Sequence, residues 1–337
     1  MYRARYTKRP TLLAARLGAQ LLSGAPAKDP VAVAERIFAV QGQDPMGFRL
    51  AVRARTEGVT AADVDRALTE DRSLVVSWLN RGTLHLIRSE DYPILQAVTT
   101  PPLRTSSERR LAQEGVPPRD LKRGIDAIVR ALETDGPLTA DALRERVRRA
   151  RVRADGQALY HLLFSASLDG LIVRGPMAGR KQAYVLVRDW LPDAKPVDRN
   201  DALGEFARRY LAGHGPATDR DMARWAGIPL RDARAGLAAA GPPPDREEAE
   251  LPPPRLLGSF EPCLLGWTSR TDIVGEKQPN LVTVGGMFYP FAMVRGRAVA
   301  RWKLRDDGLE LEPFRRLSKA DREALERDGE DVRRFLG

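Results

Sequence analysis

Two glutamines flank a glycine in the segment VQGQDP, residues 40–45, where an amphipathic helix is predicted to end. A glutamine side chain is uncharged, but its amide group can accept one hydrogen bond and donate another. Apolar residues recur at helical spacing before it, and Ile37 lies four positions before Gln41, which places Gln41 on or beside the buried face. Because Pro45 excludes the α conformation at the preceding residue, the chain is predicted to turn near Gln43. At such a fraying end both amides could face one cavity and orient a small molecule; the simpler alternative is that they bond local backbone groups.

Other kinds of catalytic site have little support in the sequence. It contains no HExxH, CxxC, GxSxG, GxGxxG or GxxxxGK[ST] motif, and its three histidines, His85, His161 and His214, are far apart. We expect structural roles for His161 and His214, and strand packing for His85. Cys263 is the single cysteine, which excludes a disulfide framework or a site made of several cysteines. The sequence therefore predicts neither a metal site nor a cofactor.

The charge of the chain favours a polyanionic partner. Lys and Arg number 55 against 45 Asp and Glu, which gives a formal net charge of +10 and an isoelectric point near 10.0. Residues 102–188 alone contain 17 basic and 10 acidic residues, so this segment is the first place to expect contacts with phosphates. A general bias of the genome toward arginine is the alternative explanation.

The expected compartment is the cytoplasm, in association with the nucleoid. The lack of cysteine pairs fits a reducing environment. The basic start MYRARYTKRP and the apolar run after it resemble an export signal, but Arg16 and Gln20 interrupt the run at helical spacing, so we predict a surface helix. No stretch approaches the ~20 uninterrupted apolar residues of a membrane span.

A recurring helix start organises the middle of the chain. Thr60, Thr139 and Thr218 each precede a helical pattern and can cap it, and Asp63 and Asp221, three residues after Thr60 and Thr218, can complete a capping box. Three helices over residues 122–134, 139–149 and 157–169 precede two strands about a basic loop, which is the pattern of a winged helix. Residues 201–213, 218–226 and 229–240 repeat the three helices, and a proline-rich linker follows them.

The two ends of the chain are less regular. The first module is predicted to contain helices and a hairpin, with strands over residues 74–79 and 83–87 about an Asn80-Arg81-Gly82 turn. Short apolar runs over residues 255–316 indicate a β-rich domain, and an amphipathic helix closes the chain. The fold class is therefore α+β, with a winged-helix domain, a repeat of its three helices and a small β-rich C-terminal domain. The predicted domains are residues 1–115, 116–195, 196–250 and 251–337.

Several segments, in order along nearly the full length, resemble the bacterial winged-helix DNA glycosylases of the AlkZ/YcaQ type. These segments are VQGQDP, SWLNRGTLHLIRSEDY, GPATDRDMARWAGI, SFEPCLLGWTSRTDIV and GRAVARWKL. In that family three tandem winged helices precede a C-terminal β-barrel, so the resemblance implies three tandem winged-helix domains followed by a small C-terminal β-barrel-like domain. Its catalytic signature is a glutamine, an aliphatic residue, and a glutamine or aspartate, so the resemblance assigns catalysis to Gln41 and Gln43. The spacer departs from the signature, because Gly42 stands where the family has an aliphatic residue.

The resemblance implies a monofunctional glycosylase that hydrolyses the N-glycosidic bond of purines alkylated at N7 or N3, including bulky or crosslinked adducts. Its partner would be double-stranded DNA, bound by a monomer. The predicted phosphate contacts are Arg81, Arg180, Lys181 and Arg270. Two alternatives stay open: a non-catalytic winged-helix DNA-binding or regulatory protein, and a scaffold that binds proteins through the β-rich domain.

Overall fold

The structure is a computed structural model of the 337-residue chain and describes residues 9–178, 181–242, 249–275, 281–282, 286–306 and 308–337. The chain divides into two compact units. The first unit comprises Met1–Asp65, Gly204–Trp225 and Pro229–Gly337, and the second comprises Arg66–Leu203 and Ala226–Ile228.

The described residues form both helices and strands. The α-helices are α1 (Arg9–Ala19), α2 (Pro30–Ile37), α3 (Pro45–Arg53), α4 (Ala61–Thr69), α5 (Tyr92–Thr99), α6 (Pro101–Gln113), α7 (Pro118–Asp135), α8 (Ala140–Arg149), α9 (Ala158–Leu168), α10 (Val187–Trp190), α11 (Arg199–His214), α12 (Asp219–Ala226), α13 (Leu230–Ala240), α14 (Thr271–Val274) and α15 (Lys319–Leu336). The strands are β1 (Val40–Gln41), β2 (Leu74–Trp78), β3 (Leu84–Arg88), β4 (Ile172–Ala178), β5 (Lys181–Leu186), β6 (Arg255–Leu257), β7 (Phe291–Val294), β8 (Arg297–Arg305) and β9 (Gly308–Pro313).

A four-stranded antiparallel sheet in the order β6-β7-β8-β9 lies in the first unit. Its apolar side packs with α1 and with the segment after β6, where Cys263 and Trp267 are buried in one cluster with Leu17 and Phe291. Burial of this apolar surface stabilises the unit. The segment after β6 includes Ser259, which bonds Asp44 next to the glutamine pair.

The barrel-like closure expected for this domain is not formed by the described residues. The two outer strands, β6 and β9, each pair on one side only, so the sheet is open. The outer strand β9 alternates Leu and Glu, and both Glu310 and Glu312 are exposed. Such a polar edge suits solvent better than pairing with another strand.

In the second unit, β3, β2, β4 and β5 follow one another in one antiparallel sheet. Val76 of the first predicted hairpin lies opposite Arg174 of the second, so the two hairpins share this sheet. Helices α7, α8 and α9 occur where the second module was predicted, and their apolar faces enclose a core that includes Ile128, Leu143 and Leu162. The number of winged-helix modules and their boundaries at residues 115, 195 and 250 stay predictions.

The capping boxes predicted from the sequence are confirmed. Asp63 accepts a hydrogen bond from the backbone N–H of Thr60 at 2.9 Å and returns its own N–H to the Thr60 hydroxyl at 3.3 Å. Thr218 and Asp221 make the same reciprocal pair at 2.9 and 3.1 Å. These local bonds satisfy backbone donors at the starts of α4 and α12.

Among the described helices, none combines the length and the apolar character needed to cross a bilayer.

Candidate active site

The path of the chain before the glutamine pair differs from the prediction. Helix α2 ends at Ile37, because Phe38 has a positive φ of 69° that a helix cannot contain. The Phe38 ring is fully buried at 5.3 Å from the ring of Phe206 and 6.2 Å from that of Trp225. Packing of this ring stabilises a backbone conformation that the local sequence disfavours. The predicted continuation of the helix to Gln41 is therefore wrong.

Beyond this turn, Val40 and Gln41 form the short strand β1. β1 ends at Gln41, and Gln43 lies in a bend rather than in a helix, on which side chains two positions apart would diverge. In this arrangement the two amides meet: Nε2 of Gln41 donates to Oε1 of Gln43 at 2.9 Å. Gln41 is buried, with 5% of its surface exposed, and Gln43 is exposed. The pair thus combines the buried amide of Gln41 with the solvent-exposed amide of Gln43.

Asp44 ends this segment as the N-cap of α3. Its carboxylate accepts a hydrogen bond from the backbone N–H of Met46 at 3.0 Å, and Pro45 occupies the first helical position. The hydroxyl of Ser259 donates a second hydrogen bond to the same carboxylate. Asp44 therefore holds the start of α3 and ties it to a residue more than two hundred positions away.

The backbone of α3 also lies very close to the backbone around Ser259. A Cβ atom on Gly47 would lie 2.5 Å from the carbonyl oxygen of Ser259, and one on Gly258 would lie 2.8 Å from the carbonyl oxygen of Gly47. Only glycine at both positions allows α3 to pack so closely against the segment after β6. The spacing between the glutamine pair and the β-rich sheet is fixed by this contact.

Two buried arginines hold the far end of α3. Arg53 bonds the carboxylate of Asp328 on α15 at 2.8 Å, and Arg55 bonds that of Glu261 at 2.5 Å. The side chains of Arg55 and Glu261 are both fully buried. Removing one partner from such a pair leaves an uncompensated charge, which typically costs about 3–5 kcal/mol of stability. The helix that follows the glutamines is therefore fixed at both ends.

Two of the three histidines, His85 and His214, are buried, whereas His161 is partly exposed. His85 is 1% exposed, and burial, followed by the nearby charge of Arg81, lowers its pKa to about 3. Its Nδ1 atom lies 2.9 Å from the carbonyl oxygen of Thr83, so Nδ1 carries the hydrogen of the neutral ring. His214 is buried against Tyr210, with ring centroids 4.8 Å apart. The described residues contain no group of three or more His, Cys, Asp or Glu side chains that could hold a metal ion.

The residues predicted to contact phosphates have different surroundings. Arg81 is partly exposed in the turn between β2 and β3, with a positive φ of 57°. Lys181 is exposed at the start of β5 and forms an ion pair with Asp141. The guanidinium of Arg270 lies 4.9 Å from the ring centre of Phe288, and burial, followed by the charge of Arg224, lowers its pKa. Arg180 lies outside the described residues.

The comparisons with known proteins identify the family of the chain and agree with its fold. The family model described as AlkZ-like DNA glycosylase matches residues 34–335, so the chain belongs to the AlkZ-like DNA glycosylase family and is an enzyme of that class. It is similar to a protein of Streptomyces sahachiroi named interstrand DNA cross-link repair glycosylase, with 27% identity over 347 residues and 90% of each chain covered. Its fold matches the solved structure of the Streptomyces sahachiroi DNA glycosylase AlkZ, with a TM-score of 0.78, 23% identity, and 97% of this chain and 96% of that chain covered.

The supporting residues of the site were missed by the sequence analysis. Ser259, Glu261 and Asp328 contact α3 from more than two hundred positions away, and no local periodicity signals such pairings. The SFEP segment that contains Ser259 and Glu261 was noted only for its resemblance to the family.

Proposed function

We propose that the chain is a monofunctional DNA glycosylase that hydrolyses the N-glycosidic bond of purines alkylated at N7 or N3, and that Gln41 and Gln43 position the attacking water. The hydrogen bond from Gln41 to Gln43 at 2.9 Å is the observation that carries this proposal. It orients the exposed amide of Gln43 from a buried neighbour. Preorganised polar groups of this kind act without rearrangement during the reaction.

The chemistry of the substrate explains why amides suffice. A purine alkylated at N7 or N3 already carries a positive charge, so it departs without being protonated. The bond between C1′ and the purine nitrogen breaks, and its electron pair neutralises the purine. A water oxygen then bonds to C1′, and its proton passes to solvent. The protein has to place that water and has no need of a strong base.

Gln43 has the atoms needed to place the water. An amide oxygen carries two lone pairs; one receives the N–H of Gln41, and the second accepts the hydrogen bond of the water. In the described part of the structure, the amide nitrogen of Gln43 forms no hydrogen bond, so it is available to donate to the substrate. Gln41 acts mainly by fixing the plane of the Gln43 amide.

The lesions that we propose as substrates include bulky adducts and interstrand crosslinks. The printed name of the Streptomyces sahachiroi relative refers to crosslink repair, and this supports the same substrate class here. A reaction that needs only a cationic leaving group and a placed water makes no demand on the size of the adduct. Neutral damaged bases are expected to be poor substrates.

A lyase step is not part of the proposal. Such a step needs an amine nucleophile, and no lysine occurs in the sequence between Lys28 and Lys122. Lys28 is an exposed residue that lies 3.8 Å from Asp29. Borohydride should therefore trap no covalent complex between the protein and the DNA.

The test is base release from defined duplexes under single-turnover conditions. One duplex contains 7-methylguanine, a second contains a nitrogen-mustard crosslink, and a third contains uracil as a neutral base; alkali then reveals abasic sites. We expect release from the first two and none from the third. Binding to all three duplexes without release of any base would overturn the proposal.

A further inference from the structure

A partly buried arginine that has no acidic partner among the described residues lies in the second unit. The guanidinium carbon of Arg174, on β4, lies 4.2 Å from the ring centre of Tyr184 and 5.0 Å from that of Trp78. Its Nε atom is buried and forms no hydrogen bond, and no described carboxylate forms an ion pair with this side chain. A buried positive charge is normally compensated by a negative one.

The aromatic rings determine how this guanidinium can be used. Trp78 and Tyr184 are each 2% exposed, so both rings are fixed by packing where Arg174 lies over them. Their electron-rich faces stabilise the cation, and the strand register fixes its stem opposite Tyr184. Stacking occupies the flat face of a guanidinium and, since Nε of Arg174 is buried, leaves the two terminal Nη groups to match two oxygens of a phosphate.

Two other cations of the same unit, Arg188 and Arg146, have acidic partners. Arg188 lies 2.6 Å from Glu133, and Arg146 lies 2.6 Å from Asp135. These exposed pairs contribute little free energy, but each partner carboxylate would compete with a phosphate. Arg174 has no such competitor among the described residues, and the excess of basic residues over 102–188 favours a polyanion rather than an acidic protein segment.

We propose that Arg174 is a binding residue for a backbone phosphate of DNA. The inference rests on the proposed function in one respect, namely that DNA is the substrate. The Tyr160 ring, 45% exposed and 5.5 Å from the Trp78 ring, extends the aromatic surface toward solvent beside the site. A deoxyribose next to the bound phosphate would lie against this ring.

The test measures the affinity for unmodified duplex DNA at several salt concentrations by fluorescence anisotropy. For Arg174→Gln we expect a binding constant on the order of 10-fold weaker, and a salt slope smaller in magnitude by about 0.9, as for one lost phosphate contact. Arg174→Lys keeps the positive charge and should keep the slope. Arg188→Gln, which removes the same charge from a paired position, serves as the matched control and should change both quantities little.

The outcomes separate this inference from the proposed function. If Arg174→Gln keeps the slope and affinity of the wild type, the phosphate site is wrong, whatever the base-release assay gives. A lowered slope that Arg174→Lys restores supports the site even if the wild type releases no base. A loss common to Arg174→Gln and Arg174→Lys, with a lowered thermal midpoint in both, would indicate a structural role and overturn the inference.

Discussion

At the scale of single residues, the proposed catalysis depends on two amides, Gln41 and Gln43, that share a hydrogen bond just after the short strand β1. The sequence predicted that both amides could face one cavity, but at the fraying end of a helix that was expected to continue to Gln41. The local sequence pattern could not show that the Phe38 ring packs against Phe206 and Trp225. A tertiary contact therefore decided the geometry of Gln41 and Gln43.

Asp44 provides a direct check on the roles of neighbouring residues. Its carboxylate caps α3 and accepts the Ser259 hydroxyl, so it has structural work that asparagine can also do. We expect Asp44→Asn to release 7-methylguanine at a single-turnover rate within about 3-fold of the wild type, since asparagine and aspartate are equally good caps. A loss of two orders of magnitude, with the thermal midpoint unchanged, would instead make Asp44 a catalytic carboxylate.

At the scale of elements, the glutamine pair is positioned by helix α3, which follows it, and by the contacts at the two ends of that helix. The capping boxes at α4 and α12 were predictable, because their partners are three residues apart. The ion pair between Arg55 and Glu261 was not, since it joins distant segments that only the folded chain brings together. The closure of the C-terminal sheet was misjudged for a related reason: alternation of apolar residues indicates strands, but not which edges pair.

Gly47→Ala tests whether the packing of α3 positions the glutamines. The added methyl group would lie 2.5 Å from the Ser259 carbonyl oxygen, so the helix must shift. We expect a loss of about 1–3 kcal/mol in the free energy of unfolding, and slower base release with unchanged affinity for undamaged DNA. Denaturant unfolding and single-turnover rates are the measurements.

Met46→Ala is the control for this change, because the Met46 side chain on the same helix is 46% exposed. It should alter stability by no more than about 0.5 kcal/mol. Wild-type stability and wild-type rates in Gly47→Ala would show that the close contact does not position the site.

His85, on strand β3, should make the stability of the protein depend on pH. Because burial lowers the pKa of His85 from 6.5 to about 3, the unfolded chain binds a proton that the folded chain does not. The stability that comes from keeping His85 neutral is fully present above pH 6.5 and is lost as the pH falls toward 3. Between pH 7 and pH 5 the loss should be about 2 kcal/mol.

Urea unfolding at the two pH values measures this loss in the wild type and in His85→Asn. Asparagine can still donate to the Thr83 carbonyl oxygen but does not titrate. The variant should therefore show a smaller difference between pH 7 and pH 5. An equal difference in the two proteins would mean that His85 is not the group responsible.

At the scale of the whole molecule, the net charge of +10 bears on affinity rather than on fold. Sequence composition alone predicted a polyanionic partner, and the family relation makes that partner DNA. The particular cations could not be chosen from sequence, because their pairing with acids depends on the fold. Lys181 is an example, since its partner Asp141 lies forty positions earlier.

The salt dependence of DNA binding tests how many phosphates the protein contacts. If four are contacted, the slope of log affinity against log salt concentration should be about −3 to −4. Anisotropy titrations with an undamaged duplex measure the slope. A flat profile would contradict a binding surface built on phosphate contacts.

The central claim is that Gln41 and Gln43 act as one unit that places the water, and a double-mutant cycle on the rate of 7-methylguanine release tests it most directly. Gln41→Ala and Gln43→Ala should each slow the single-turnover rate, by on the order of 10²-fold for a misplaced reactant, with little change in affinity for undamaged DNA. Because the two amides share a hydrogen bond, the double variant should be no slower than the slower single variant. A double variant whose loss equals the product of the two single losses, or a single variant with the wild-type rate, would contradict the claim.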